Sequence, residues 1–188
     1  MKKLKMGPQP MLWAHPTVLV GADVDGKPDF AAVAWAGVVA STPPAVSIAL
    51  QHHRYSLKGI RQNMSFSVNI PSRELVRETD YCGLISGAKT DKVKDCKFKV
   101  FYGKTPGAPL IKQCPINLEC AVRHILNMGS HALVIGEVVE TYVSEDCLTK
   151  GHPDIRKVKP FAYIPGKYHA IGKAFADAFS IGREIKEV

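Results

Sequence analysis

The sequence contains no Cys-x-x-Cys pair, and its five cysteines, at positions 82, 96, 114, 120 and 147, are odd in number. This argues against a thiolate metal cluster and a disulfide-stapled scaffold, and for a reducing compartment. No apolar run is long enough to span a bilayer. Gly7-Pro8-Gln9-Pro10 follows the basic start (Lys2, Lys3, Lys5) where a signal peptide would need its apolar core. A cytoplasmic location with no membrane partner is therefore expected. A Gly-x-Gly-x-x-Gly fingerprint and a P-loop are both missing, which argues against a Rossmann or Walker-type nucleotide site. His152 and His169 lack metal-ligand spacing, so no metal site is expected. Internal repeats, low-complexity tracts and long linkers are absent as well.

What is present suits one globular domain over residues 1–188. Hydrophobic residues make up 46% and charged residues 22%, ordinary values for a chain able to bury a sizeable core. The net charge of +8 raises the question of a nucleic-acid partner. The excess is scattered, however, over the first residues, Lys92 to Lys99, and Lys157 to Lys173. A barrel that binds single strands would need a Lys/Arg groove interleaved with aromatics; here the aromatics cluster with small apolar residues. The basic charge therefore reads as solvated surface that also attracts anionic cofactors, and nucleic acid is not expected as a partner.

The most informative stretch is Asp29 to Ser56. From Phe30 to Ala40 it is apolar and mostly small, including Ala31, with Trp35 as the one large side chain; this predicts a strand that another backbone or a flat ring can approach closely. Ser41-Thr42-Pro43-Pro44 breaks it, since proline donates no ladder hydrogen bond. A second strand, Ala45 to Gln51, follows. His53-Arg54-Tyr55-Ser56 then leads into a helix with Ser56 as its expected N-cap. A bidentate cation, a hydroxyl and free helix-start N–H groups converge there, which is an anion site in chemical outline.

Around this stretch, Pro16 to Gly21 and an Asp25-Gly26 turn predict a hairpin. Phe66 to Ile70 alternates as a half-buried strand. Ser72 caps a helix running toward Tyr81, and Gly83 begins a mobile loop carrying Ser86 and Lys92. Phe98 to Tyr102 reads as a short strand. Ile116 to Leu126 and His131 to Val143 form a hairpin that closes a barrel. Residues 153–188 read as a wrapping tail rather than a second domain.

Taken in order, Trp35, Ser41-Thr42-Pro43-Pro44, Arg54-Tyr55-Ser56, Ser86-Gly87-Ala88-Lys89-Thr90-Asp91-Lys92 and Gly129-Ser130-His131-Ala132-Leu133-Val134-Ile135-Gly136 resemble the signatures of the flavin reductase-like, FMN-binding split-barrel family. The likeness runs from Pro10 to Lys173 and is strongest to flavoredoxins. It implies a mainly β fold, an antiparallel split β-barrel with peripheral helices, which binds FMN noncovalently as a homodimer. The implied function is electron transfer from NAD(P)H or a donor protein, through FMN, to flavin, iron or another carrier. The alternative is an FMN-binding store or sensor without turnover.

The resemblance carries roles to particular residues. Trp35 would wall the ring, Ser41 and Thr42 would meet its polar edge, and Asp29, Ala31 and His53 would line the cradle. Arg54, Tyr55, Ser56 and Ser86 would hold the phosphate arm. Lys92 would favour a phosphate or the reduced ring. His131 would lie beside the flavin and near an incoming nicotinamide, the place of a catalytic residue. Tyr163 or Ile164 would bring the tail against the ring. Asp29 departs from the asparagine common in flavoredoxins, and its charge opposes reduced FMN.

Overall fold

The computed structural model describes residues 1–185. The chain forms β1 (His15–Pro16), β2 (Val18–Val24), β3 (Lys27–Val33), β4 (Ala36–Ser41), β5 (Pro44–Gln51), α1 (Tyr55–Asn63) and β6 (Ser65–Ile70). There follow α2 (Val76–Leu84), α3 (Lys92–Asp95), β7 (Val100–Phe101), β8 (Leu110–Ile111), and a long hairpin of β9 (Ile116–Met128) and β10 (His131–Val143). The remaining elements are β11 (Leu148–Thr149), β12 (His152–Pro153), α4 (Ile155–Val158), β13 (Phe161–Ile164) and β14 (Lys167–Ala170).

Seven antiparallel strands form the main sheet in the order β3-β2-β6-β9-β10-β5-β4. Its two edge strands, β3 and β4, are joined by only Ala34 and Trp35, so the sheet must curl until its edges meet. The Trp35 carbonyl accepts from the Ala49 amide at 2.8 Å, tying that junction to β5. This is the expected antiparallel split barrel. It corrects one local expectation: Phe30 to Ala40 is two strands, because the chain leaves one sheet edge at Val33 and joins the other at Ala36.

Period-two alternation sorts the core. Val18, Val20, Ala22, Ala31 and Val33 point into the barrel, where they meet Ile48, Leu50, Phe66, Cys120 and Val134. Leu19 and Phe30 point the other way, toward Cys82, Phe98 and Ile111. Helix α1 lies against β2 at Gly59, where an added Cβ would stand 2.3 Å from the Asp23 carbonyl oxygen. That close approach requires glycine and sets α1 directly on β2.

Three further expectations are corrected. Ser56 is not the N-cap: α1 starts at Tyr55, its N-cap is Arg54, and no side chain caps it. Helix α2 runs through Gly83 to Leu84 after a 3-10 turn at Arg73–Leu75. The expected strand at Phe98 shrinks to Val100–Phe101. Within residues 153–185, β13 pairs with β1, His15 facing Tyr163, and turns back as β14. Positions 186–188 of the expected tail lie outside the described residues. Among those described, no helix is long and apolar enough to cross a membrane.

Candidate functional site

At one end of the barrel the register of β5 and β10 sets His131 opposite Gln51. The β3–β4 junction places Trp35 against His131 there, ring centroids 4.6 Å apart at 31°. Trp35 is 42% exposed, so it is no core residue. The two rings, with Ala32 to Ala34, Ala49, Leu50, Gln51, Arg54 and Tyr163, line an open slot of about 300 Å³. Small residues and flat rings make its walls, which suits a planar aromatic group.

His131 shares a 2.8 Å hydrogen bond between its Nδ1 and Ser130 Oγ. Burial, then the nearby His52, Arg54 and His53, push its pKa down. A neutral imidazole therefore faces the slot at neutral pH.

Arg54 also borders a second cavity, of about 270 Å³, lined by Asp29, Ala31, His53, Tyr55, Ser56, Leu84, Ile85, Ser86, Lys89 and Lys92. Its Nη1 donates to the Gly83 carbonyl at 2.7 Å, which fixes the guanidinium between α1 and α2. Ser56 is fully buried, and its Oγ has no hydrogen-bond partner. An orphaned hydroxyl costs stability unless something completes it. The uncapped start of α1 adds N–H groups that have no acceptor within the helix. Together these groups fit an anion such as a phosphate monoester.

Lys92 heads α3 instead of riding a loop. Its Nζ lies 3.0 Å from Asp29 Oδ1, with both side chains at most 5% exposed. The two form a close ion pair in which Nζ also donates to the Phe30 carbonyl. Burial pushes the Asp29 carboxyl up, and Lys92 opposes that shift only partly.

The sequence-predicted residues thus divide. Asp29, Ala31, His53, Arg54, Tyr55, Ser56, Ser86 and Lys92 gather at the polar cavity, and Trp35, His131 and Tyr163 at the slot. Ser41 and Thr42 line neither; both are exposed at the β4–β5 turn. Ile164 lines neither cavity, because neighbours on a strand face opposite ways and Tyr163 takes the inner side.

Sequence reasoning missed Leu84, Ile85 and Lys89, which follow from the unexpected length of α2. It also missed Tyr168, which packs on Tyr163 at 6.0 Å. Pro165-Gly166, with Gly166 at φ 86°, was the available hairpin signal.

Comparison with known proteins matches residues 11–172 to the family described as flavin reductase like domain. The flavoredoxin of Methanosarcina acetivorans superimposes with a TM-score of 0.94 at 36% identity, over 99% of this chain and 100% of that one. The flavoredoxin of Desulfovibrio vulgaris (Miyazaki F) gives 0.89 at 35% identity, over 97% and 100%. An uncharacterized protein of Archaeoglobus fulgidus is 31% identical over 74% of this chain and 77% of its own length.

Proposed function

Because the chain belongs to the flavin reductase-like family, we propose that it is a cytoplasmic, single-domain FMN protein. It would pass electrons from NAD(P)H or a donor protein to flavin, iron or another carrier. One observation carries this reading. A polar cavity with an orphaned Ser56 hydroxyl and an uncapped helix start opens beside a slot walled by Trp35 and His131, and Arg54 borders both. A phosphate arm at one end and a flat ring at the other fit that layout.

Bound FMN would supply the hydride and electron chemistry. The chain would do the rest. Arg54, Ser56 and the first N–H groups of α1 would hold the phosphate, with Ser86 and Lys92 at the cavity wall. Trp35 and Tyr163 would exclude water from the ring faces. His131, kept neutral, would avoid repelling an oxidised, cationic nicotinamide. Ser41 and Thr42 stand at the end of β4, an edge strand whose Val38 and Val39 are 82% and 49% exposed. An apolar edge of this kind needs cover, which supports a homodimer as the working form.

The purified protein should be yellow and release FMN, not FAD, on denaturation. Anaerobic titration with NADH and NADPH, followed by flavin absorbance, separates a reductase from a store or sensor. A colourless protein that also fails to take up added FMN overturns the reading.

A further inference from the structure

The Asp29–Lys92 pair is a partition. Both residues border the cavity that holds Arg54 and Ser56, and both also border a second space of about 420 Å³. Gly87 packs so tightly here that an added Cβ would stand 2.0 Å from Asp29 Oδ1. The loop therefore brings bare backbone to the carboxylate and no side-chain donor. Asp29 is left with Lys92 as its close cation, 3.0 Å from Oδ1, and with no other side chain paired to it.

A buried carboxylate in that state is the weak point of the site. An anion that entered the cavity would meet Lys92 already neutralised and a negative charge beside it.

We propose that Asp29 is a specificity-determining residue: it holds Lys92 in the free protein and thereby sets how strongly this chain prefers a phosphorylated flavin over an unphosphorylated one. A phosphate-bearing ligand gains the lysine when the Asp29 carboxylate takes up one proton from solvent. No other covalent bond changes; Lys92 exchanges its contacts with Asp29 and the Phe30 carbonyl for the phosphate. The inference rests on the reading of the cleft as an FMN site.

The groups that act on Asp29 come from several elements. Lys92 faces it from α3, and Arg54 lies close enough to stabilise its charge. Tyr55 of α1 lines the same two cavities, while His53 and Lys89 border one, and Lys27, on its own strand, and the carboxylate Asp91, just before α3, border the other. Cys82 of α2 is close enough to feel its charge. Burial already pushes the carboxyl up, and a neighbouring phosphate would push it further.

The test is a fluorescence titration of flavin-free protein with FMN and with riboflavin, at about pH 6 and about pH 8. Asp29→Asn should tighten FMN about tenfold at the higher pH, one pKa unit of linkage, while riboflavin moves less than about twofold. The gain should shrink at the lower pH, where the parent carboxyl is more readily protonated. Ionisation of the FMN phosphate itself is common to both proteins and cancels in their ratio. Asp29→Ser, scored the same way, provides a second variant should Asn disturb the fold.

Equal shifts for FMN and riboflavin would overturn the proposal, because Asp29 would then act on the part the two share. Weaker FMN binding by both variants would overturn it too and make Asp29 a support for Lys92. A parent protein that takes up neither flavin fails the FMN reading itself. Parent binding therefore tells the two failures apart.

Discussion

The two ends of the cleft are built on opposite plans. The polar end is enclosed: Ser56, Asp29 and Lys92 are buried, and α1, α2 and α3 surround them. The slot end is open: Trp35 stands 42% exposed on His131, beside an uncovered edge strand. Enclosure makes each polar group expensive to disturb, since a buried charge or hydroxyl must be matched. Openness makes the aromatic end cheap to alter. Substitutions at the polar end should thus read out in stability and in phosphate discrimination, and those at the slot in ring affinity alone.

The largest effect should come from Lys92→Ala. Removing the cation strands Asp29 as a buried, unpaired carboxylate, a loss of about 3–5 kcal/mol. Urea denaturation at neutral pH measures it. Without Lys92, burial loses its main opposition, with the Phe30 backbone and Arg54 left against it, and the folded carboxyl rises further above its unfolded value. Such a group adds stability below the unfolded value and loses it as pH rises through the folded one. The variant should therefore recover part of its deficit in acid. A deficit that stays constant with pH would show that Asp29 is not the stranded group.

Arg54→Ala comes next. If Arg54 holds the phosphate, FMN should weaken by about 1.5–3 kcal/mol, the range of a charge-assisted hydrogen bond. Riboflavin, which lacks the phosphate, should weaken much less. Equal losses would move Arg54 from the polar end to the slot, which it also borders.

Trp35→Ala should cost both flavins about equally, by roughly 0.5–1.5 kcal/mol beyond the lost contact area. The thermal midpoint should barely move, because the side chain is half in solvent. A large loss of stability would erase the contrast between the two ends.

Smallest of all is Lys94→Ala. Two residues from Lys92 and of equal charge, Lys94 is exposed, and its loss should change stability and FMN affinity by no more than about 0.5 kcal/mol. Comparable losses at Lys92 and Lys94 would mean that the polar end senses net charge rather than enclosure.

Much of this was legible in the chain itself. Alternating apolar residues placed the β9–β10 hairpin, Asp25-Gly26 placed the β2–β3 turn, and the order of Trp35, Arg54, Lys92 and His131 identified the family and many of the residues that line the cleft, though not Leu84, Ile85 or Lys89, and with Ser41, Thr42 and Ile164 wrongly included. Those signals are local, or they are motifs read in sequence order. The break of Phe30 to Ala40 at Trp35 was not legible, because an apolar run does not reveal that a sheet closes between its members. Nor was the choice of Tyr163 over Ile164, which depends on the pairing of β13 with β1.

The state of Lys92 lay furthest beyond the sequence. A lysine after Ser86-Gly87 in a lysine-rich stretch reads as solvated, and Asp29 lies 63 positions earlier. Sequence by itself determined which charged and aromatic side chains the cleft would have at its disposal. Tertiary structure alone decided which are buried and with whom, because desolvation and pairing depend on how β3, α2 and α3 pack around a point that no local pattern encodes.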